Sequence, residues 1–317
     1  MMRFAILLAA AHALVATTHL QQRASKRFMS TCAEPAINYD AWLAEAGIGG
    51  KFAIDGDGVR ATADIDGLEV VATVPDALAL AVDADADWAG SLCRAAIEAR
   101  GAGGPRAAYL RSWTGGGWAT DSGDLDSRDR ELDCLLATGS DNDFEIYKKF
   151  GLKCHPAVDR AAYRLAALAG CRKETAARAM LSARGFEFRR CREALIPLVT
   201  EPTRTEGTAR RRRELEVAEV FSKALARAAL VDAEGAPTVA VVPVHDALRH
   251  APTANTKLVR DPRYDDAFCL VATRAVGAGE ALTRDFGTAP SLGQLTGGDG
   301  DAEDEALRLL LHFGIRP

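Results

Sequence analysis

Three short segments in the last quarter of the chain hold the residue types that could do chemistry. The first is Pro243-Val244-His245-Asp246-Ala247-Leu248-Arg249-His250, which gathers imidazoles, a carboxylate and a guanidinium. The second runs from the turn Gly277-Ala278-Gly279-Glu280 to Arg284-Asp285-Phe286-Gly287. The third is Leu309-Leu310-Leu311-His312-Phe313-Gly314. His245, Asp246 and His250 are all metal-ligand types. Their histidines are five apart, however, not the one-turn spacing of a helical zinc pair, so no metal site is expected. A fourth segment, Gly56-Asp57-Gly58, lies far upstream. A turn without bulky side chains lets main-chain amides and carbonyls approach a bound group closely. A plain hairpin turn would read the same way.

These segments need elements to position them, and the pattern predicts an α+β chain. A short helix is expected over 39–46. Two apolar runs around the glycine turn read as strand, turn, strand, ending at Val74-Pro75. From 76 to about 238 the chain reads mostly helical, with Ala and Leu at helical spacing in 161–168 and 173–181. The Gly- and Asp-rich stretches 112–127 and 293–305 read as loops. Arg210, Arg211, Arg212 and Arg213 form a basic cluster. The acidic residues that follow make it a solvated helix start rather than a nucleic-acid patch.

At 317 residues the chain is long enough to bury a large core. Its formal charge of −5 argues against phosphate recognition, and no nucleic-acid partner is expected. The seven cysteines, at 32, 93, 134, 154, 171, 191 and 269, include no CxxC pair. They read as reduced thiols rather than a zinc or disulfide framework. Residues 1–32 contain no acidic residue. A basic start, an apolar run too short to span a membrane and a basic, hydroxyl-rich stretch read as a targeting leader. Signal followed by transit segment is similar to the two-part leader of complex plastids, and a secretory or mitochondrial leader is the alternative. No stable membrane anchor is expected once it is removed.

Taken in order, the four segments resemble the SET domain of protein-lysine methyltransferases, in the rubisco-methyltransferase-like variety with a long helical insert. The resemblance covers roughly 39–314, with the insert at about 76–238. It implies an α+β fold of short β-sheets, S-adenosylmethionine as cofactor and a protein lysine as methyl acceptor. It carries over Gly56, Asp57, Gly58, Asp246, Arg249 and His250 as candidate cofactor-binding residues. Arg184, in the run Ser182-Ala183-Arg184-Gly185-Phe186, is carried over with them. Three positions depart from the family pattern. Arg249 stands where the family has asparagine, exchanging a small donor-acceptor for a bulky donor. Phe286 stands at the family's catalytic tyrosine, without the hydroxyl beside the transferred methyl group. Phe313 replaces a second tyrosine and enlarges the lysine channel, which favours higher methylation. The resemblance thus implies a lysine methyltransferase or, with Arg249 and Phe286 in the pocket, a weak or inactive relative that binds a peptide or partner. The family's C-terminal helical substrate-binding domain is not expected in this chain.

Overall fold

A computed structural model describes residues 38–55, 58–85, 87–113, 135, 156–171, 174–199, 206–231, 237–260, 267–286 and 302–313. The leader-like segment, Gly56, Asp57 and most of both expected loops lie outside the described residues. The first helix, α1 (Tyr39–Glu45), starts at Asn38, whose side chain accepts from the Ala41 amide. It buries Trp42 and Leu43 against the core. Then come β1 (Phe52–Asp55), β2 (Gly58–Ala61), β3 (Val70–Pro75) and β4 (Leu80–Asp83).

Among the described residues the helices that follow are α2 (Trp88–Ala102), α3 (Gly104–Arg111), α4 (Pro156–Leu168), α5 (Glu174–Leu195) and α6 (Glu206–Arg227). In α2 the buried positions recur three and four apart, the stripe of a helix with one face on a core. Gly103 and Gly104 break α2 from α3 with φ of 78° and 81°, a conformation that other residues rarely adopt. After α6 come β5 (Ala229–Val231), β6 (Thr238–Val241), β7 (Arg249–His250), β8 (Thr256–Arg260), β9 (Ala267–Ala272) and β10 (Thr283–Arg284). The last described element is α7 (Ala302–Phe313).

Among the described residues the strands make four small sheets, ordered β1-β2, β10-β7, β3-β9-β8 and β4-β6-β5. The α+β expectation therefore holds. Two details differ from the sequence reading. Leu80–Asp83 and Ala229–Val231, inside the stretch read as mostly helical, are strands. Both pair with β6, whose four residues are all buried, so tertiary pairing overrides the local helical tendency of alanine. The expected loop over 293–305 ends earlier, since α7 begins at Ala302. The run Glu303-Asp304-Glu305 is of a type favoured in a helix's first turn.

Two apolar clusters hold the fold. The larger joins α1, α2, α3 and α6 to the sheets. The smaller joins Val158, Ala162 and Leu165 of α4 to Leu181 of α5 and to Leu307, Leu310 and Leu311 of α7. Through α7 the helical layer therefore reaches the end of the chain that carries Phe313. Among the described residues no helix is long and apolar enough to cross a membrane.

Candidate active site

The strand pairing brings together segments far apart in sequence. The β1–β2 hairpin is joined to the 279–282 segment: Ala61 N–H donates to the Glu280 carbonyl, and Leu282 N–H donates to the Val59 carbonyl. One residue further on, β10 runs parallel to β7, with Thr283 opposite Arg249 and Arg284 opposite His250. Gly58 is thereby placed against Arg249. Its φ is +121°, and a Cβ built there would lie 3.3 Å from Arg249 Cγ. Gly58 and the Arg249-His250 segment meet at one place.

The His250 side chain and the Phe286 backbone are tied together there. Phe286 N–H donates to His250 Nδ1 at 3.2 Å, and the two rings lie 5.6 Å apart. The Phe286 ring is 8% exposed and sits 4.3 Å from the Phe313 ring, between centroids. Arg308 on α7 donates to the Phe286 carbonyl, so α7 grips Phe286 at both ring and backbone. The structure thus gathers Gly58, Arg249, His250, Phe286 and Phe313 in one cluster.

Asp246 and Arg184 point elsewhere. The Asp246 side chain turns inward. Its Oδ2 accepts from the Tyr109 hydroxyl at 2.7 Å on α3 and lies 3.5 Å from Arg227 Nε on α6. Burial raises its carboxyl above the usual range, against the Arg227 charge and the Tyr109 hydrogen bond, which lower it. Arg184 is 1% exposed, and its terminal nitrogens donate to the Leu311 carbonyl and to Ser222 Oγ. It ties α5 to α6 and to the turn of α7 just before Phe313.

Other residues that shape the site were missed in the sequence because their partners are distant. Asn255 is buried and holds the 280–283 segment. It donates to the Ala281 carbonyl and Glu280 Oε1, and its Oδ1 accepts from Thr283 N–H. Val244 has φ +72° and ψ −50°, a strained backbone for a β-branched residue, at the turn that leads to His245. Arg284 is 3% exposed, and its Nη1 lies 3.1 Å from His245 Nδ1. Arginine only donates, so His245 Nδ1 must be the acceptor and the imidazole is neutral.

Burial, and then the Arg284 charge, push His245 well below the usual histidine range. Burial with the Arg184 and Arg308 charges pushes His312 down to about 3. Both histidines have folded values depressed below the unfolded value of about 6.5. Their stabilising contribution is full above that pH and is lost as pH falls, because the unfolded chain takes up protons that the fold refuses. Asp246, raised in the fold, acts in the opposite sense in the carboxylate range. Urea unfolding should therefore give lower stability at pH 5.5 than at pH 7.5. Equal stabilities would contradict the assignment of two neutral buried imidazoles.

With the geometry in hand, the architecture can be identified: it is the SET-domain fold. The chain aligns with the SET domain of LSMT bound to lysine and AdoHcy at a TM-score of 0.50 and 15% identity. That alignment covers 88% of this chain and 56% of the other, so this chain spans little more than half of that neighbour. Rubisco LSMT bound to sinefungin and monomethyllysine aligns over 90% of this chain and 57% of its own, with 16% identity and a TM-score of 0.49. No family model and no curated protein matches the chain.

Proposed function

We propose that this chain is an S-adenosylmethionine-dependent protein-lysine N-methyltransferase of the SET type, slowed by its own substitutions. The observation that carries the reading is the meeting of Gly58, Arg249-His250 and Phe286-Phe313 in one cluster on a SET fold. The neighbouring SET domain was solved with lysine and AdoHcy, and the same two ligand classes are proposed here.

The fit to the cofactor rests on the cradle at Gly58. A side chain there would meet Arg249, so only glycine leaves the backbone open to close approach. The Gly58 and His250 segments would hold the cofactor. The misfit is confined to the Arg249 side chain, whose stem lies over Gly58 and must turn aside. Its outward position allows this, since Arg249 is exposed. When bound, the cofactor supplies a methyl group activated by its sulfonium.

The chain's own residues do the rest. His250 accepts the Phe286 N–H and fixes the wall of the acceptor channel. Phe286 and Phe313 make that wall apolar and exclude water as a competing acceptor. Neither ring can take a proton, so the amine must be neutral when it attacks, with its lone pair available. With the cofactor held there, the neutral amine would supply the electron pair for the new N–C bond, the sulfonium sulfur would keep the pair of its bond to the methyl group, and the product would lose a proton to water. Positioning accounts for most of the rate in such a scheme.

The second reading, a SET relative that binds a peptide or partner without transfer, is favoured by Arg249 over Gly58 and by the missing hydroxyl at Phe286. The acidic-free leader supports an organelle, plastid first, as the proposed compartment. Transfer of labelled methyl from S-adenosylmethionine to lysine side chains of plastid protein extract separates the two readings. Slow but measurable lysine methylation by the purified chain is expected. Tight retention of an extract protein with no label incorporated would favour the second.

A further inference from the structure

We propose that Arg284 is a positioning residue for the acceptor amine: stacked behind the Phe286 ring, its buried charge biases an amine bound at that wall toward the uncharged, reactive form. The proposal rests on the methyltransferase reading above. Its basis is geometric. The Arg284 guanidinium carbon lies 4.0 Å from the centre of the Phe286 ring, while Phe313 packs on the same ring at 4.3 Å. An amine held against Phe286 is therefore separated from a fixed cation by little more than one ring.

The charge is not cancelled on the spot. The hydrogen-bond partner of Arg284 is the neutral His245 imidazole. Asp246 lies near enough to favour the charged guanidinium, but its own hydrogen-bonding and ionic contacts are with Tyr109 and Arg227. On α7, Arg308 is paired with Glu305. On the open side, His250 lies 4.0 Å from the Asp285 carboxylate, which is 40% exposed. Among the described groups around Phe286, Arg308 is paired with Glu305, His250 accepts at Nδ1 beside the Asp285 carboxylate, and Arg284 is a buried cation hydrogen-bonded to a neutral imidazole. Burial lowers Arg284 only to about 10, which leaves it charged at neutral pH.

A cation behind the wall repels an ammonium and leaves a neutral amine unaffected, so it lowers the pH at which the bound acceptor sheds its proton. Stacking through an aromatic face also gives the guanidinium a reason to stay where it is. An arginine there fixes a charge within an otherwise water-poor wall.

The test is the pH profile of kcat/KM for methyl transfer to poly-L-lysine at saturating S-adenosylmethionine. It compares the wild-type chain with Arg284→Lys, which keeps the charge, and with Arg284→Gln and Arg284→Met, which remove it. Two neutral forms are made so that one folded form, judged by its thermal transition, suffices. The acid limb should move up by about one pH unit in the neutral forms and stay near its wild-type position in Arg284→Lys. A role confined to packing would lower the rate without moving the limb. Limbs that coincide in the charged and neutral forms overturn the proposal and leave the methyltransferase reading intact. A Lys form that shifts as far as the neutral forms also overturns it. Absence of transfer by every form at every pH, with the folds intact, removes the methyltransferase reading and this proposal together.

Discussion

Phe286→Tyr is expected to raise the rate of methyl transfer by about 100- to 1,000-fold, the usual worth of one preorganised oxygen beside a reacting centre. The backbone that would hold the new tyrosine is already in place. The Phe286 N–H is bound to His250 Nδ1, its carbonyl accepts from Arg308, and its ring packs against Arg284 and Phe313. The substitution adds one oxygen and asks little else of the fold. It gives the methyl group and the attacking amine a polar atom to orient on, where the wall now has only carbon. Labelled-methyl transfer by the two forms under identical conditions checks this. Brisk wild-type turnover that the substitution leaves unchanged would mean that the reacting atoms lie elsewhere.

The second large effect is on cofactor affinity. Arg249→Asn should tighten S-adenosylmethionine binding by about tenfold or more. The arginine stem lies against Gly58, so binding must first displace it and then tolerate a cation beside a sulfonium. Asparagine clears the cradle and offers both a donor and an acceptor in a small volume. One well-made hydrogen bond, together with relief of one like-charge contact, amounts to about 1.4 kcal/mol or more, which is a factor of ten. Titration of both forms reads the ratio directly. Weaker binding by the asparagine form would show that Arg249 holds the cofactor instead of blocking it.

Much of this architecture was legible in the sequence, because the informative segments are local. The glycine turn and the two segments that end at His250 and Phe286 each carry their own pattern, and their order along the chain pointed to the fold. The contacts behind the site were not legible in the same way. Tyr109 and Asp246 are 137 residues apart, Arg184 and Leu311 are 127 apart, and His245 and Arg284 are 39 apart. Local periodicity cannot pair such residues; the sheet register and the packing of α7 do. For the same reason Asp246 and Arg184 read as pocket residues from their motifs, whereas the folded chain engages both in buried hydrogen bonds. The strand Leu80–Asp83 was hidden for a related reason: its partner, β6, begins at Thr238.

The account stands most directly on whether the Gly58 and His250 segments together bind the cofactor. Calorimetric titration of S-adenosylmethionine into the purified full chain, alongside Arg249→Asn, decides this. The account predicts saturable one-to-one binding by both, weaker in the wild type and about tenfold tighter in Arg249→Asn. Absence of binding by both folded forms, at cofactor concentrations up to about 1 mM, would contradict it.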